Sequence, residues 1–267
     1  MQFTDIIILF STGLAAGFLS GYLGIGGGVI AVPVLVYFLE GTVGSCDLFL
    51  TASTISLGVV FAASSNASFK HLKEGNYYKK AIFPVVLGSV LGPIPGNFIC
   101  GIICDRNRMF FFSLVLSLLA IRIFFLDHER DDEGNLKKSP NFNFFLLFLS
   151  GLFMGTISAM TGIGGGSVLV PILAVILNFD LKKSVGIAAI VMVFNSIASL
   201  GGRYFIGAFD HIPFSMFLTI FLLISLGTLF TAQFGVKLNI KSKDDTFKKI
   251  AGAVYFIVAV QMYIKAY

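Results

Sequence analysis

Apolar residues occur along this chain in long blocks that charged residues seldom interrupt. Each half contains five blocks, with approximate bounds 5–22, 28–39, 48–66, 80–104 and 109–126 in the first half and 142–160, 167–178, 184–200, 212–235 and 247–266 in the second. A membrane-spanning helix needs about 20 apolar residues, and most blocks approach that length. The pattern predicts an all-α polytopic membrane protein, in which the second block of each half is too short for an ordinary span.

The composition supports a membrane protein and leaves little material for a soluble domain. Hydrophobic residues make up 56% of the 267 residues, charged residues make up 12%, and the mean hydropathy is +0.90. Soluble domains contain about 25% charged residues. The N-terminal block lacks the basic leading region and cleavage pattern of a signal peptide, so we expect a retained helix. We attribute the net charge of +5 to the loops, and we expect no nucleic-acid partner.

The most unusual stretch of the sequence occurs twice. Gly-Ile-Gly-Gly-Gly occupies residues 24–28 and again 162–166, and a proline follows each copy at the same distance. Small residues at four-residue spacing, which is typical of close helix packing in membranes, precede both copies: Gly13, Gly17 and Gly21, then Gly151, Gly155 and Ala159. We therefore predict two membrane repeats, 1–126 and 142–267, joined by a cytoplasmic linker over 127–141.

The distribution of Lys and Arg decides between two topologies. If every block crosses the membrane or forms one arm of a hairpin, one side receives 14 of these residues and the other side four. If the first two blocks of each half make one net crossing, each side receives nine. Basic residues concentrate in cytoplasmic loops, which favours the first topology. Because five elements per half is an odd number, we predict inverted repeats with both termini extracytoplasmic, an architecture that recurs in secondary transporters.

The duplicated glycines predict broken or re-entrant helices near the membrane midplane. Each glycine costs about 1 kcal/mol relative to alanine in a helix, and broken backbone at membrane depth must be covered by protein or line a cavity. Freed N–H groups and the positive end of the next helix dipole favour an anion. The predicted substrate-binding glycines are Gly24, Gly26, Gly27, Gly28, Gly162, Gly164, Gly165 and Gly166. Pro33 and Pro171 are predicted to keep the short helices bent, in a structural or gating role.

A few polar residues accompany the breaks. Asn66 and Asn195 stand late in the third block of their halves, and both are candidate substrate-binding residues because neutral donors suit an anion that must bind and then leave. A purely structural role is the alternative. Arg203 stands near a helix end, and we interpret it as a determinant of topology or substrate access rather than a ligand. Asp47 and Asp180 precede the third blocks and are interpreted as helix N-caps.

Enzymatic chemistry and resident cofactors are not predicted. The three histidines, His71, His128 and His211, are placed in loops, and neither they nor the cysteines have metal-ligand spacing. No pair of intramembrane carboxylates is available for acid–base chemistry. Neither glycine run is followed by the Lys-Ser or Lys-Thr of a phosphate-binding loop. We expect no enzyme, no metal and no cofactor.

The duplicated Gly-Ile-Gly-Gly-Gly with its following Pro-x-Leu resembles the sulfite exporter TauE/SafE family, and the resemblance covers essentially the whole chain. It implies a secondary transporter of the cell (inner) membrane, with sulfite, an organosulfonate or a related sulfur-containing anion as substrate. Alternating access and coupling to a gradient of protons or sodium ions are implied as well. The expected partners are the small anion, the coupling ion and the lipid bilayer. An anion channel and a non-transporting membrane assembly factor remain as alternatives, and the oligomeric state stays open.

Overall fold

A computed structural model describes residues 3–44, 47–124, 139–210, 212–242 and 244–267. Over these ranges the regular structure is helical. The helices are α1 (Phe3–Leu23), α2 (Gly28–Phe38), α3 (Leu48–Lys73), α4 (Lys79–Leu91), α5 (Pro93–Ile102), α6 (Asp105–Phe124), α7 (Phe144–Thr161), α8 (Gly166–Pro171), α9 (Leu181–Phe205), α10 (Phe214–Lys241) and α11 (Asp244–Ala266). Most of the predicted linker 127–141 lies outside the described residues.

The surface of the helix bundle is apolar, as a lipid environment requires. Among the described residues, seven helical segments are long and apolar enough to cross a membrane, and α4 and α5 together form one of them. Large side chains point outward around the bundle; Phe83, Phe98, Phe205 and Phe230 are each more than two-thirds exposed. Extensive apolar surface marks contact with another apolar phase, here the lipid. The prediction of an all-α, multi-pass membrane protein is confirmed.

The central helices α3 and α9 are longer than the apolar pattern predicted. α3 continues to Lys73 and α9 to Phe205. The added turns of α3 carry lysines, which ended the apolar block, but their inner face is still packed against protein. His71 therefore lies within α3 and is completely buried, so its placement in a loop was wrong. His128 and His211 lie outside the described residues.

The two short second blocks differ in helical structure. α2 continues past Pro33, whereas α8 ends at Pro171 and a π-helical turn, Ile172–Ile176, follows it. The Leu177 N–H donates to the Ile172 carbonyl oxygen, five residues back, at 3.3 Å, which is the hydrogen-bond spacing of a π turn. The second copy alone therefore changes helix type at its proline. The gating role of the two prolines stays a prediction.

The first helix of each half packs along the fourth segment of the other half. α1 runs beside α10, and α7 runs beside α4 and α5. The last helices of the halves, α6 and α11, pack against each other, while α3 packs against α9 at the centre. Each half therefore completes its packing only when the other half is present.

Small residues line the contact of α1 with α10 and the contact of α7 with α4 and α5. On α1, a Cβ atom at Gly17 would lie 2.6 Å from the Cα atom of Thr228 in α10. On α7, a Cβ atom at Gly155 would lie 2.7 Å from the carbonyl oxygen of Ser89 in α4. Equally close backbone neighbours face Gly13, Gly21 and Gly151. The predicted packing role of these glycines is confirmed, since added side chains would push the helices apart.

Polar contacts identify the loops that share an end of the bundle. At one end, Asn76 Nδ2 donates to the Lys182 carbonyl oxygen at 3.0 Å, and Lys182 Nζ donates to the Ile240 carbonyl oxygen at 2.8 Å. At the other end, Lys265 Nζ lies 2.5 Å from Glu40 Oε1. The loops that the alternating topology assigns to one side of the membrane therefore lie at the same end of the bundle. The lysine-rich end is the one predicted to face the cytoplasm.

The two central helices are capped by different means. Asp180 caps α9 as predicted, because its Oδ1 accepts from the N–H groups two and three residues later, at 3.0 and 3.2 Å. Asp47 precedes α3 at the corresponding place but makes no side-chain capping bond with the described residues of that helix. Asp105 of α6 caps α3 instead, since its Oδ2 accepts from the Phe49 N–H at 2.6 Å. The cap prediction is confirmed for Asp180, whereas Asp47 stands at the N-cap position of α3 without a side-chain capping bond to that helix in the described structure.

Candidate functional site

The two glycine stretches adopt the same backbone conformation. In each, the first, third and fourth residues have positive φ: +68°, +83° and +73° for Gly24, Gly26 and Gly27, and +74°, +93° and +75° for Gly162, Gly164 and Gly165. Residues with a Cβ atom rarely adopt this region. These six positions therefore need glycine for the backbone alone, before any ligand is considered.

The last glycine of each stretch is needed because the two breaks touch. A Cβ atom at Gly28 would lie 2.5 Å from the carbonyl oxygen of Gly162, and one at Gly166 would overlap the carbonyl oxygen of Gly24. The breaks thus cross reciprocally, and every residue of both is buried. All eight glycines predicted to bind substrate lie together at this crossing, and their binding role stays a prediction.

The central helices hold the crossing from both sides. Gly162 lies against Ser53 of α3, and Gly24 lies against Val185 of α9. Ser56 Oγ on α3 donates to the Gly162 carbonyl oxygen at 2.9 Å. These contacts connect each break to the third helix of the other half, so a shift between α3 and α9 would move both breaks.

Only one of the two candidate asparagines lies at the crossing. Asn195 is fully buried, and its Nδ2 lies 2.7 Å from Ser158 Oγ and 3.4 Å from the Gly164 carbonyl oxygen. Asn66 is partly exposed and contacts α10, where its Nδ2 donates to the Leu229 carbonyl oxygen at 2.9 Å. The structure therefore brings Asn195 to the breaks and does not bring Asn66 there.

The short helices begin at the crossing without side-chain caps. Gly27 precedes α2 and Gly165 precedes α8, both in the left-handed region, and neither helix has a side-chain cap bond in the described structure. The first N–H groups of a helix have no intrahelical carbonyl partner, and the helix dipole adds partial positive charge there. Two helix starts at one buried crossing make it suited to negative charge.

Arg203 lies in the protein interior close to the breaks, although the sequence analysis did not interpret it as a ligand. Its side chain is completely buried. Nη2 donates to the Ala159 carbonyl oxygen at 2.6 Å and to Ser53 Oγ at 3.1 Å, and Nη1 lies 3.0 Å from Cys100 Sγ. Within the described residues, no carboxylate lies within ion-pair distance of this guanidinium.

The sequence carried one signal that could have located Arg203. The role in topology or access was favoured because Arg203 follows two glycines near a helix end. However, Arg203 stands at four-residue spacing after Ser199 and Asn195, so all three share one face of α9. A polar face that continues into an apolar helix indicates burial against protein rather than lipid.

A second buried arginine lies beside Arg203. Arg108 forms an ion pair with Asp105, and its Nε and Nη2 donate to the Cys100 carbonyl oxygen at 3.0 and 2.6 Å. A cavity of about 240 Å³ opens next to this group and is lined in part by Cys100, Arg108 and Met160. Two guanidinium groups and one carboxylate leave an excess of positive charge close to the breaks.

Comparison with known proteins places the whole chain in one group. The family described as Sulfite exporter TauE/SafE matches residues 9–262. A probable membrane transporter protein of Haemophilus influenzae is 28% identical over 280 residues, which cover 99% of this chain and 100% of that protein. A probable membrane transporter protein of Methanocaldococcus jannaschii is 28% identical over 248 residues, covering 88% and 86%.

A third relative has a lower sequence identity, but its alignment also covers nearly the full length of both proteins. The probable membrane transporter protein YunE of Bacillus subtilis is 21% identical over 278 residues, covering 98% of this chain and 97% of that protein. No solved structure matches the chain significantly. The family match extends through both glycine breaks, the central helices and the buried arginines. The chain therefore belongs to the sulfite exporter TauE/SafE family.

Proposed function

We propose that this membrane transporter is a secondary transporter of a small sulfur-containing oxyanion, either sulfite or an organosulfonate. Transport itself follows from the family and from the names of the relatives. The substrate, the coupling to a proton or sodium gradient, alternating access and the location in the cell (inner) membrane are proposed. The family description supports sulfite as the substrate. The polar groups at the centre of the helix bundle suit an anion.

The observation that carries the proposal is the reciprocal crossing of the two breaks. It lies inside the bundle, where two uncapped helix starts and Asn195 are within one buried region. Interrupted helices that meet between inverted repeats are the usual substrate sites of secondary transporters. The positive ends of the two short helix dipoles favour an anion at this crossing.

The helices can be divided into two groups whose main contact with each other is that of α3 with α9. One group contains α1, α3 and α10, and the other contains α7, α9, α4 and α5, with close helix contacts inside each group. The groups meet where α3 contacts α9 and where the breaks cross. We propose that a small rotation of one group against the other opens the crossing first to one side of the membrane and then to the other.

Counterflow distinguishes this transporter from a channel. Proteoliposomes preloaded with unlabelled sulfite are expected to take up external radiolabelled sulfite several times faster than unloaded ones, because a carrier returns faster when it is loaded. Protein-free liposomes serve as the control for leakage. A channel would conduct the label without trans-stimulation, and that result would contradict alternating access. An absence of flux for every anion would favour the assembly-factor alternative.

Cysteine labelling tests the proposed orientation. Leu72 is 46% exposed near the end of α3 and Tyr267 is 75% exposed at the opposite end of the bundle. With Cys46 and Cys104 replaced by serine, Leu72→Cys is expected to react with an impermeant maleimide only from the cytoplasmic side. Tyr267→Cys, the matched control, should react only from outside. External labelling at position 72 would contradict the inverted topology with extracytoplasmic termini.

A further inference from the structure

Three polar side chains, spaced four residues apart on one face of α9, are buried, and each has an atom without a hydrogen-bond partner in the described structure. Asn195, Ser199 and Arg203 each have 0% exposure, and Asn195 Oδ1, Ser199 Oγ and Arg203 Nε have no hydrogen-bond partner within the described structure. With four-residue spacing they form a stripe about 12 Å long. Buried polar atoms are nearly always hydrogen-bonded. The Arg203 Nε–H and the Ser199 hydroxyl are donors without an acceptor in the described structure and indicate a missing acceptor ligand, whereas Asn195 Oδ1 is itself an acceptor and would not pair with an anion.

The stripe connects the glycine crossing with the cavity beside the arginines. At one end, Asn195 contacts Ser158 and the Gly164 carbonyl oxygen. At the other end, Arg203 contacts Cys100, which also lines the cavity of about 240 Å³. A bound group on the stripe would therefore lie between an opening in the protein and the predicted centre of transport.

The corresponding face of α3 carries no such stripe. Val60 of α3 and Met192 of α9 take equivalent places against the two breaks. Counting on from them aligns Asn195 and Ser199 with Ala63 and Ala67, which are completely buried, and Arg203 with His71, which is a buried polar side chain as well. Because alanine satisfies the packing at two of these places on α3, packing alone does not explain Asn195 and Ser199 on α9.

The charge of Arg203 limits the chemistry of the ligand. A buried cation without an anionic partner is strongly unfavourable, and the nearby Asp105 is already paired with Arg108. We infer that the stripe binds a small, singly charged oxyanion, with Arg203 Nε–H and the Ser199 hydroxyl as donors. Sulfite species, sulfonates and carboxylates share this acceptor chemistry. The inference rests on the transport function proposed above and assigns its substrate to Arg203 and Ser199 in addition to the breaks.

Thermal unfolding of the purified full-length chain in detergent tests this site. Sulfite, methanesulfonate and acetate are titrated separately at constant ionic strength, and at least one is expected to raise the Tm of the wild type with saturation. Ser199→Ala removes a hydroxyl that has no protein partner, so the fold should be unaffected. Loss of one hydrogen bond to an anion is expected to weaken binding about tenfold.

Ser196→Ala is the matched control, since that hydroxyl is buried three residues away but already bonds to the Met192 carbonyl oxygen at 2.7 Å. Its affinity should equal that of the wild type. Arg203→Gln should abolish binding, but it also removes contacts to Ala159 and Ser53, so Ser199→Ala is the decisive variant. Sulfur oxyanions and carboxylates are distinguished by which of the three anions saturates at the lowest concentration.

The outcomes separate this inference from the proposed function. Equal affinities for Ser199→Ala and the wild type would overturn the stripe as the binding site, even if wild-type counterflow is observed. A wild type stabilised by none of the three anions would overturn it as well. Weaker binding by Ser199→Ala alone would support the stripe, and it would do so even if counterflow were absent and the transport mechanism had to be abandoned.

Discussion

Replacing Gly166 with alanine is expected to destabilise the protein by roughly 3 kcal/mol, at the upper end of the usual overpacking range. Gly166 begins α8 without positive φ, so the backbone itself would accept alanine, and helix propensity would favour it. The added methyl group would, however, overlap the carbonyl oxygen of Gly24. That atom is backbone of the other break and cannot rotate away, so the two breaks would have to separate.

The measurement is the Tm in detergent together with the elution profile on gel filtration. A loss of this size corresponds to a fall in Tm of roughly 6–12 °C for a chain of this length. Gly201→Ala is the control, because this glycine of α9 has ordinary φ and no atom within 4 Å of the added Cβ position. Its Tm should stay unchanged or rise. Wild-type stability of Gly166→Ala would show that the breaks do not cross as described.

Asp105→Ala is expected to cost about 3–5 kcal/mol, the usual loss when one partner of a buried ion pair is removed. The Asp105 carboxylate is 2% exposed, pairs with Arg108 and accepts from the Phe49 N–H at the start of α3. Its removal would leave a buried guanidinium without its partner and a central helix without its cap. The effect should appear as a large fall in Tm.

Asp180→Ala provides the comparison, because that carboxylate caps α9 locally and its loss is expected to cost about 1 kcal/mol. In the double variant Asp105→Ala with Arg108→Met, part of the stability should return, since no unpaired buried charge remains. If Asp105→Ala were no more harmful than Asp180→Ala, the capping of α3 by a residue of α6 would be contradicted.

The glycine variants that the sequence alone would recommend are less informative. Gly27 and Gly165 have φ of +73° and +75°, and a Cβ atom at either would meet backbone or side-chain atoms closer than 3 Å. Loss of transport in these variants would follow from misfolding as readily as from loss of an anion site. Ser199→Ala avoids this difficulty because it adds no atoms and breaks no hydrogen bond of the described structure.

The sequence by itself determined the features that depend on local chain chemistry. The apolar blocks predicted helices because a spanning segment must be long and apolar. The Gly-Ile-Gly-Gly-Gly copies predicted breaks because each glycine weakens a helix by about 1 kcal/mol relative to alanine. Asp180 was predicted as a cap because its carboxylate reaches the N–H groups only two and three residues away. Each of these results requires no knowledge of distant residues.

Only the tertiary structure decided which distant residues meet. Gly166 lies against the carbonyl oxygen of Gly24, with no room for a side chain. The Asp105 carboxylate accepts from the Phe49 N–H at the start of α3, and Arg203 donates to Ser53. These partners are separated by 56 residues for Phe49 and Asp105 and by 150 for Ser53 and Arg203. No periodicity along the chain encodes such pairs, because they arise when interleaved helices from both halves bury one another. For the same reason the sequence placed Asn66 and Asn195 alike, whereas packing brought only Asn195 to the breaks.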